Sequence, residues 1–223
     1  MAITLTNSKL TDTLTPSSPM TAAFTSATTA NRGIIVHVTG DNSLTISTPT
    51  DTVGNTFILV GSRTTSDNTC QCKTYYVKQG IGGTDTVSVA YTGTATFFSV
   101  GICEITDSGG NANGFVLDQS ATNSGASANG TVTTGATTVA TEVVHVGMVT
   151  TGPTPTAGSG FTLMNQGTVS GRGEEWKSVS ATGTQVCAFT SGSGSWAVVA
   201  STYYTATGAA AAKGGTMSLM GVG

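Results

Sequence analysis

Charge is scarce in this chain: Lys, Arg, Asp and Glu account for 9% of its 223 residues, against roughly a quarter in an average soluble protein. Eight basic and eleven acidic side chains leave a net charge of -3 with no run of either sign. That distribution lacks the clustered basic face by which a protein holds nucleic acid, so neither DNA nor RNA is expected as a partner. Long apolar runs are missing too, and no stretch could cross a bilayer as a helix. Residues 1–6 have neither the cationic start nor the continuous apolar core of a secretory signal, so export by the general pathway and a membrane location are not expected. Four cysteines are too few to build a disulfide framework in a chain this long, which makes reduced thiols the expectation. No helical periodicity extends beyond about two turns.

What fills the space is hydroxyl and glycine. Thr and Ser make up roughly three residues in ten, and there are 30 glycines. Apolar and polar residues alternate in short runs bounded by Gly and Asn, the pattern of half-buried strands separated by turns. Strands are predicted over 20–26, 34–39, 56–62, 71–78, 84–92 and 96–105, and again over 130–134, 143–149, 161–165, 174–180, 184–190 and 195–204. Thr, Val, Ile, Phe and Tyr suit these runs because branched or aromatic side chains pack well across a pleated surface.

The two sets of strands read as diverged copies. Ala27-Thr28-Thr29 matches Ala136-Thr137-Thr138 at an offset of 109 (136 − 27), and Ile34 matches Val143 at 109 (143 − 34). Phe57 and Phe161 stand 104 apart, Gly83 and Gly183 100, Thr92 and Thr190 98, and Phe97 and Trp196 99. The drift follows from shorter connections in the second copy. The fold class expected is therefore all-β: a two-sheet β-sandwich of jelly-roll or Greek-key type with an internal pseudo-twofold duplication closing one shared core. The domain plan has an N-terminal arm or edge strand over 1–19 and one sandwich over 20–204. That sandwich comprises copies 20–106 and 129–204 joined by a linker over 107–128, and a C-terminal tail covers 205–223.

No arrangement of residues announces catalysis, and no cofactor or metal is expected. His37 and His145 both lie in apolar strands, but at an offset of 109 His145 matches Val36, which places the two imidazoles on opposite faces of equivalent strands. Glu174 and Glu175 are adjacent on a strand and point apart, poor geometry for an acid and a base acting together. Glu104, in an otherwise apolar run, is read as an edge residue or a partner of Lys78. Residues 107–113 form an oxygen-rich, glycine-bent loop without the terminal carboxylate of a calcium site. Cys70 and Cys72 sit on one strand face beside the predicted loop 63–69 and are candidates for an intermolecular disulfide, whereas Cys103 and Cys187 are expected to pack as small hydrophobes. In the tail, Met217, Leu219 and Met220 are candidates for an assembly arm. Trp176, Tyr75 and Tyr76 are the aromatics that a sugar-contacting face would use.

The runs TDTVGNTFILVG from Thr50, YYVKQGIGGTDTVSVAYTG from Tyr75, 117–120, 155–163 and 181–199 resemble a loosely defined group of Thr/Gly-rich β-sandwich modules. Such modules occur in tailed-phage particle proteins and in surface proteins of environmental bacteria. The resemblance spans most of 20–204 and implies a virion location after synthesis in the host cytoplasm, with other capsid or tail proteins as partners. Together with a weakly charged exterior that offers little repulsion between copies, it leads to the expectation of a non-enzymatic virion component, a capsid decoration or other exterior protein that works as a homo-oligomer through subunit packing. The competing expectation is a receptor- or glycan-binding head of a fibre or adhesin.

Overall fold

The computed structural model describes residues 2–109, 113–168 and 171–206. Among the described residues all regular structure is β. The first copy holds β1 (Ile3–Thr13), β2 (Met20–Ala23), β3 (Gly33–Asp41), β4 (Thr45–Ile46), β5 (Thr50–Asp51), β6 (Ile58–Thr64), β7 (Cys70–Val77), β8 (Thr86–Val89), β9 (Tyr91–Thr92) and β10 (Phe98–Asp107). The second holds β11 (Phe115–Ala126), β12 (Asn129–Ala136), β13 (Glu142–Thr150), β14 (Thr162–Gln166), β15 (Arg172–Val179), β16 (Thr184–Thr190) and β17 (Ser195–Thr205).

Each copy builds one five-stranded antiparallel sheet, in the order β1-β10-β3-β7-β6 and β11-β17-β13-β15-β14. These orders correspond strand for strand. Opposite the first lies β2-β8-β5 with the short pair β4-β9, and opposite the second lies β12-β16. In both copies the chain alternates between the wide and the narrow sheet and brings its last strand beside its first, the jelly-roll arrangement. The duplication extends to irregularities. A bulge breaks the β1–β10 register between Thr6 and Lys9, and another breaks β11–β17 between Leu117 and Ser120. The matched threonines perform one task twice: Thr28 donates its backbone N–H to the Gly83 carbonyl at 2.8 Å, and Thr137 donates to the Gly183 carbonyl at 3.1 Å. Gly83 and Gly183 both have positive φ, 139° and 148°, which a side chain would resist.

The layers differ from the single shared core that alternation suggested. The wide sheets pack face to face, with β1 over β13, β14 and β15, and with β6 over β11 and β17. Each wide sheet is thus covered twice, once by its own narrow sheet and once by the other copy. Ile34, Val36, Val38, Val100 and Ile102 pack with Val87 and Val89 in one outer core, and Val144, Val146, Met148 and Val198 pack with Phe189 in the other. Between the wide sheets lies a third layer containing Ile3, Leu5, Ile35, Ile105, Phe115, Val143 and Tyr203 at one end and Cys72, Val149, Ala197 and Val199 at the other. Strands buried on both faces read as continuous apolar runs instead of alternating ones. The segments IIVHV of β3 and VVHVGMV of β13 are such runs.

The stretch 1–19, read as an arm or edge strand, supplies the edge strand β1, whereas the stretch read as a linker over 107–128 supplies β11, the equivalent first strand of the second copy. Both are edge strands with only a few inward apolar residues, so their composition resembles that of loops.

Candidate functional site

The densest cluster of chemical groups lies midway between the wide sheets. Strand alternation delivers His37 and Thr39 from β3, Thr74 from β7, Ser99 from β10, His145 from β13 and Arg172 and Glu174 from β15 to one layer. All of these residues are fully buried. Glu174 is the hub. It accepts a hydrogen bond from Arg172 Nη2, one from His145 Nε2 at 3.1 Å and one from Asn165 Nδ2 at 3.2 Å. Arg172 Nη1 donates to Ser99 Oγ at 2.7 Å, and Ser99 meets Thr39 at 3.1 Å. A guanidinium only donates, so the Ser99 proton is free to point at Thr39. His37 Nδ1 bonds the Thr74 hydroxyl at 2.9 Å. The two imidazole rings stand edge to face with centroids 6.2 Å apart.

This meeting overturns the expectation that His37 and His145 project to opposite faces. Even-numbered residues of both β3 and β13 face their own narrow sheets, so these strands correspond at an even offset and not at 109. One residue has been gained or lost between Thr28 and β3 relative to Thr137 and β13, and a single-residue slip turns every side chain over. The aromatic match also moves by one: Phe98, and not Phe97, is the buried core counterpart of Trp196.

Glycines let the polar groups fit. A methyl added to Gly101 would overlap the Glu174 carboxylate and Arg172, and one added to Gly147 would overlap the His37 ring. Burial alone would raise the Glu174 pKa. The Arg172 charge, the bond from His145 and the two imidazoles outweigh burial and hold the carboxyl at about 2. For His37 burial is the largest influence and lowers the imidazole to about 3, with Glu174 opposing and Arg172 and His145 reinforcing. The cluster therefore holds an ionised Arg172–Glu174 pair beside a neutral His37 at neutral pH. Its members are all out of reach of a substrate. What it can do is tie the two wide sheets together: Arg172 and Glu174 neighbour each other on β15, and the Arg172–Ser99 bond crosses to β10 of the other sheet, so another registration would leave a buried guanidinium N–H without its acceptor.

Nothing in composition flagged Arg172, Ser99, Thr74 or Asn165. Glu174 and Glu175 do point apart, with Glu174 in the cluster and Glu175 Oε2 accepting from the Gly158 N–H at 2.6 Å. Glu104 is a correction: it is buried, and its partners are the Thr29 N–H at 2.9 Å and Asn7 Nδ2 at 2.7 Å, with Arg32 at 3.9 Å, instead of Lys78. Asp118 and Glu142, distant in sequence, form a carboxyl pair. Burial followed by the Asp118 carboxylate raises Glu142 to about 7, while bonds from Thr138 overcome burial to keep Asp118 below its ordinary value. Glu142 is itself buried, and Asp118 is partly exposed.

The remaining candidates are dispersed. Cys70 and Cys72 point into the layer between the wide sheets, beside Val149, Ala197 and Val199. Burial raises both thiols, Cys72 to about 12, and Cys70 also borders an open groove beside Leu14, Thr96 and Phe97. Cys103 and Cys187 are buried and likewise raised. Tyr75 and Tyr76 are buried, in different cores, and Trp176 is half-buried against the Tyr76 cluster, so the three form no common exposed face. Residues 110–112 of the oxygen-rich loop, and Met217, Leu219 and Met220, lie outside the described residues.

Two surface features stand out against this sealed interior. The narrow sheet of the second copy has two strands where its counterpart has three, and Val186 of β16 stands 61% exposed on it. Beside β6, an open groove of about 250 Å³ runs along Ile58, Val77, Lys78, Gln79 and Ile81. No protein-family model matches the chain, and no curated protein or solved structure does.

Proposed function

We propose that this chain is a non-enzymatic structural component of a tailed-phage particle, placed on the exterior as a capsid decoration or similar protein, and that it acts by packing against particle proteins and copies of itself. The observation that carries this reading is the incomplete narrow sheet β12-β16. Apart from one bridge between Thr156 and Thr190, among the described residues it has no third strand such as β5 supplies in the first copy. An unpaired strand edge with an apolar residue on its face is a template for strand addition by another chain. The weakly charged, hydroxyl-rich exterior supports contact by area and backbone pairing over ion pairs. The likeness of the Thr/Gly-rich runs to phage particle modules supplies the setting.

Catalysis finds no support in the geometry, because the polar cluster is sealed and Glu142 is covered. A glycan-contacting head would need an exposed aromatic platform, and Tyr75 and Tyr76 are inside. Quantitative mass spectrometry of purified particles from the phage that carries this gene tests the proposal. A fixed copy number comparable to that of other shell proteins is expected, and absence of the chain from intact particles overturns it.

A further inference from the structure

The two copies hold the same connection with different charges. Strand pairing fixes which positions correspond, because Ile102 of β10 lies opposite Val36 of β3, and Ala200 of β17 lies opposite Val146 of β13. With Phe98 matched to Trp196, β10 and β17 differ by 98 (196 − 98), which pairs Ile102 with Ala200 and hence Val36 with Val146, an offset of 110 (146 − 36). Arg32 therefore corresponds to Glu142, and Glu104 to Thr202. In the first copy Glu104 accepts the Thr29 N–H at 2.9 Å and Asn7 Nδ2 at 2.7 Å, with the Arg32 guanidinium 3.9 Å away. In the second copy Asp118, from the β11 bulge, accepts the Thr138 N–H at 2.6 Å and the Thr138 hydroxyl at 2.7 Å. Where the first copy brings a cation to this end of the sheet, the second brings another acid.

The Asp118 and Glu142 carboxyls are in side-chain hydrogen-bonding contact. Glu142 is fully buried, its Oε1 accepts the Val139 N–H at 3.3 Å, and its Oε2 meets no donor among the described residues. No cation answers the pair there. β15 carries Lys177, but its ammonium sits over the Phe161 ring at 4.5 Å. β17 presents the neutral Thr202 hydroxyl, residues 138 and 139 present the Thr138 hydroxyl and backbone N–H groups, and β11 presents Asp118 itself. A buried acceptor left without a donor costs about 1–3 kcal/mol, and two carboxylates in contact repel each other. One proton removes both penalties, since a protonated Glu142 can donate to Asp118 where a carboxylate only accepts. Asp118 is partly exposed, which gives that proton a route to water.

We propose that Asp118 and Glu142 share a single proton in the folded protein, and that this proton is a pH-operated latch fastening residues 137–141 to the bulge of edge strand β11. When the proton leaves, two like charges are in contact. The connection 137–141 is the part free to yield, because β13 beyond it is paired on both sides, to β15 and β17. Burial and the Asp118 carboxylate hold Glu142 at about 7, so the latch weakens as pH rises from 4.5 through 7. The equivalent fastening in the first copy carries an arginine, which stays charged throughout. None of this depends on the assignment to a phage particle.

Amide exchange of the full chain, corrected for intrinsic base catalysis, tests it at about pH 5.5 and about pH 8.5, on either side of the transition. Protection of the Thr138 and Val139 amides should fall by about tenfold or more at the higher pH, while the Thr29 amide of the first copy keeps its protection. Glu142→Gln is neutral at every pH and should hold Thr138 protection level. A second reading needs no Glu142 variant: the Glu142 carboxyl carbon-13 resonance should titrate near neutrality in the native protein and at lower pH in Asp118→Asn. Unchanged native protection of Thr138, an equal fall in Glu142→Gln, or a Glu142 midpoint indifferent to Asp118→Asn overturns the proposal. Recovery of protection at the higher pH on adding calcium or magnesium also overturns it, since a metal ion and not a proton would then close the pair.

Discussion

Replacing Glu174 with Gln preserves shape and removes one charge from the centre of the molecule. Gln can still accept from His145 or Asn165, but Arg172 then keeps a full positive charge, entirely buried, with Ser99 as its remaining side-chain partner. Breaking one side of a buried ion pair costs about 3–5 kcal/mol. For a protein of this size that lowers the melting midpoint by about 2–4 °C per kcal/mol, a fall of roughly 6–20 °C. Removing both charges with Arg172→Met/Glu174→Gln should restore part of the loss, since the stranded charge is gone. Urea and thermal unfolding of the three proteins at neutral pH make the comparison. The native pair also predicts acid sensitivity. The Glu174 carboxyl, held at about 2, contributes stability that is present above its ordinary pKa of 4.5 and is lost as pH falls toward 2. His37, held at about 3, stays neutral in the folded state while the unfolded chain takes up a proton below 6.5, so stability falls over that window as well. A single Glu174→Gln variant within 0.5 kcal/mol of native, or a double variant less stable than the single, would refute the reasoning.

Other outcomes follow from the same geometry. Glu175 is raised to about 7, chiefly by burial, so the native protein loses stability as pH rises from 4.5 through 7. Glu175→Gln keeps the acceptor for Gly158 and should be more stable above pH 7 by on the order of 1–3 kcal/mol, with the difference vanishing near pH 4 in paired melting curves. Gly147→Ala forces a methyl into the buried His37 ring and should cost at least about 1–3 kcal/mol in denaturant unfolding. Cys72, Cys103 and Cys187 should resist alkylation until the protein unfolds, and native mass should not change with reductant, as mass spectrometry would read directly. Val186→Lys should leave the unfolding free energy within about 0.5 kcal/mol of native while reducing incorporation into particles.

Much of the architecture was legible because strand propensity and turn chemistry act locally. Each of the twelve strands predicted from alternation has a counterpart, and the matched Thr28/Thr137 and Gly83/Gly183 pairs mark the duplication as well in space as in sequence. β11 was hidden, and β1 was left between an arm and an edge strand, because an edge strand buries little: in β1 only Ile3 and Leu5 are fully inside, and in β11 only Phe115. The polar cluster was hidden for another reason. Which face a strand residue occupies depends on the parity of the connection before it, and one residue between Thr28 and β3 decides whether His37 and His145 meet. Arg172 and Glu174 look like surface residues until the second sheet is laid over them. The groove beside β6 was unreadable because Ile58 and Ile81 lie on separate elements joined by the Asp51–Asn55 hydrogen bonds.

Co-sedimentation of the purified chain with particles from which it has been stripped tests most directly the claim that this protein works by contact. The account predicts saturable binding at a fixed number of chains per particle, weakened by Val186→Lys. Failure to bind at any concentration, with the chain folded and the particles intact, would contradict it.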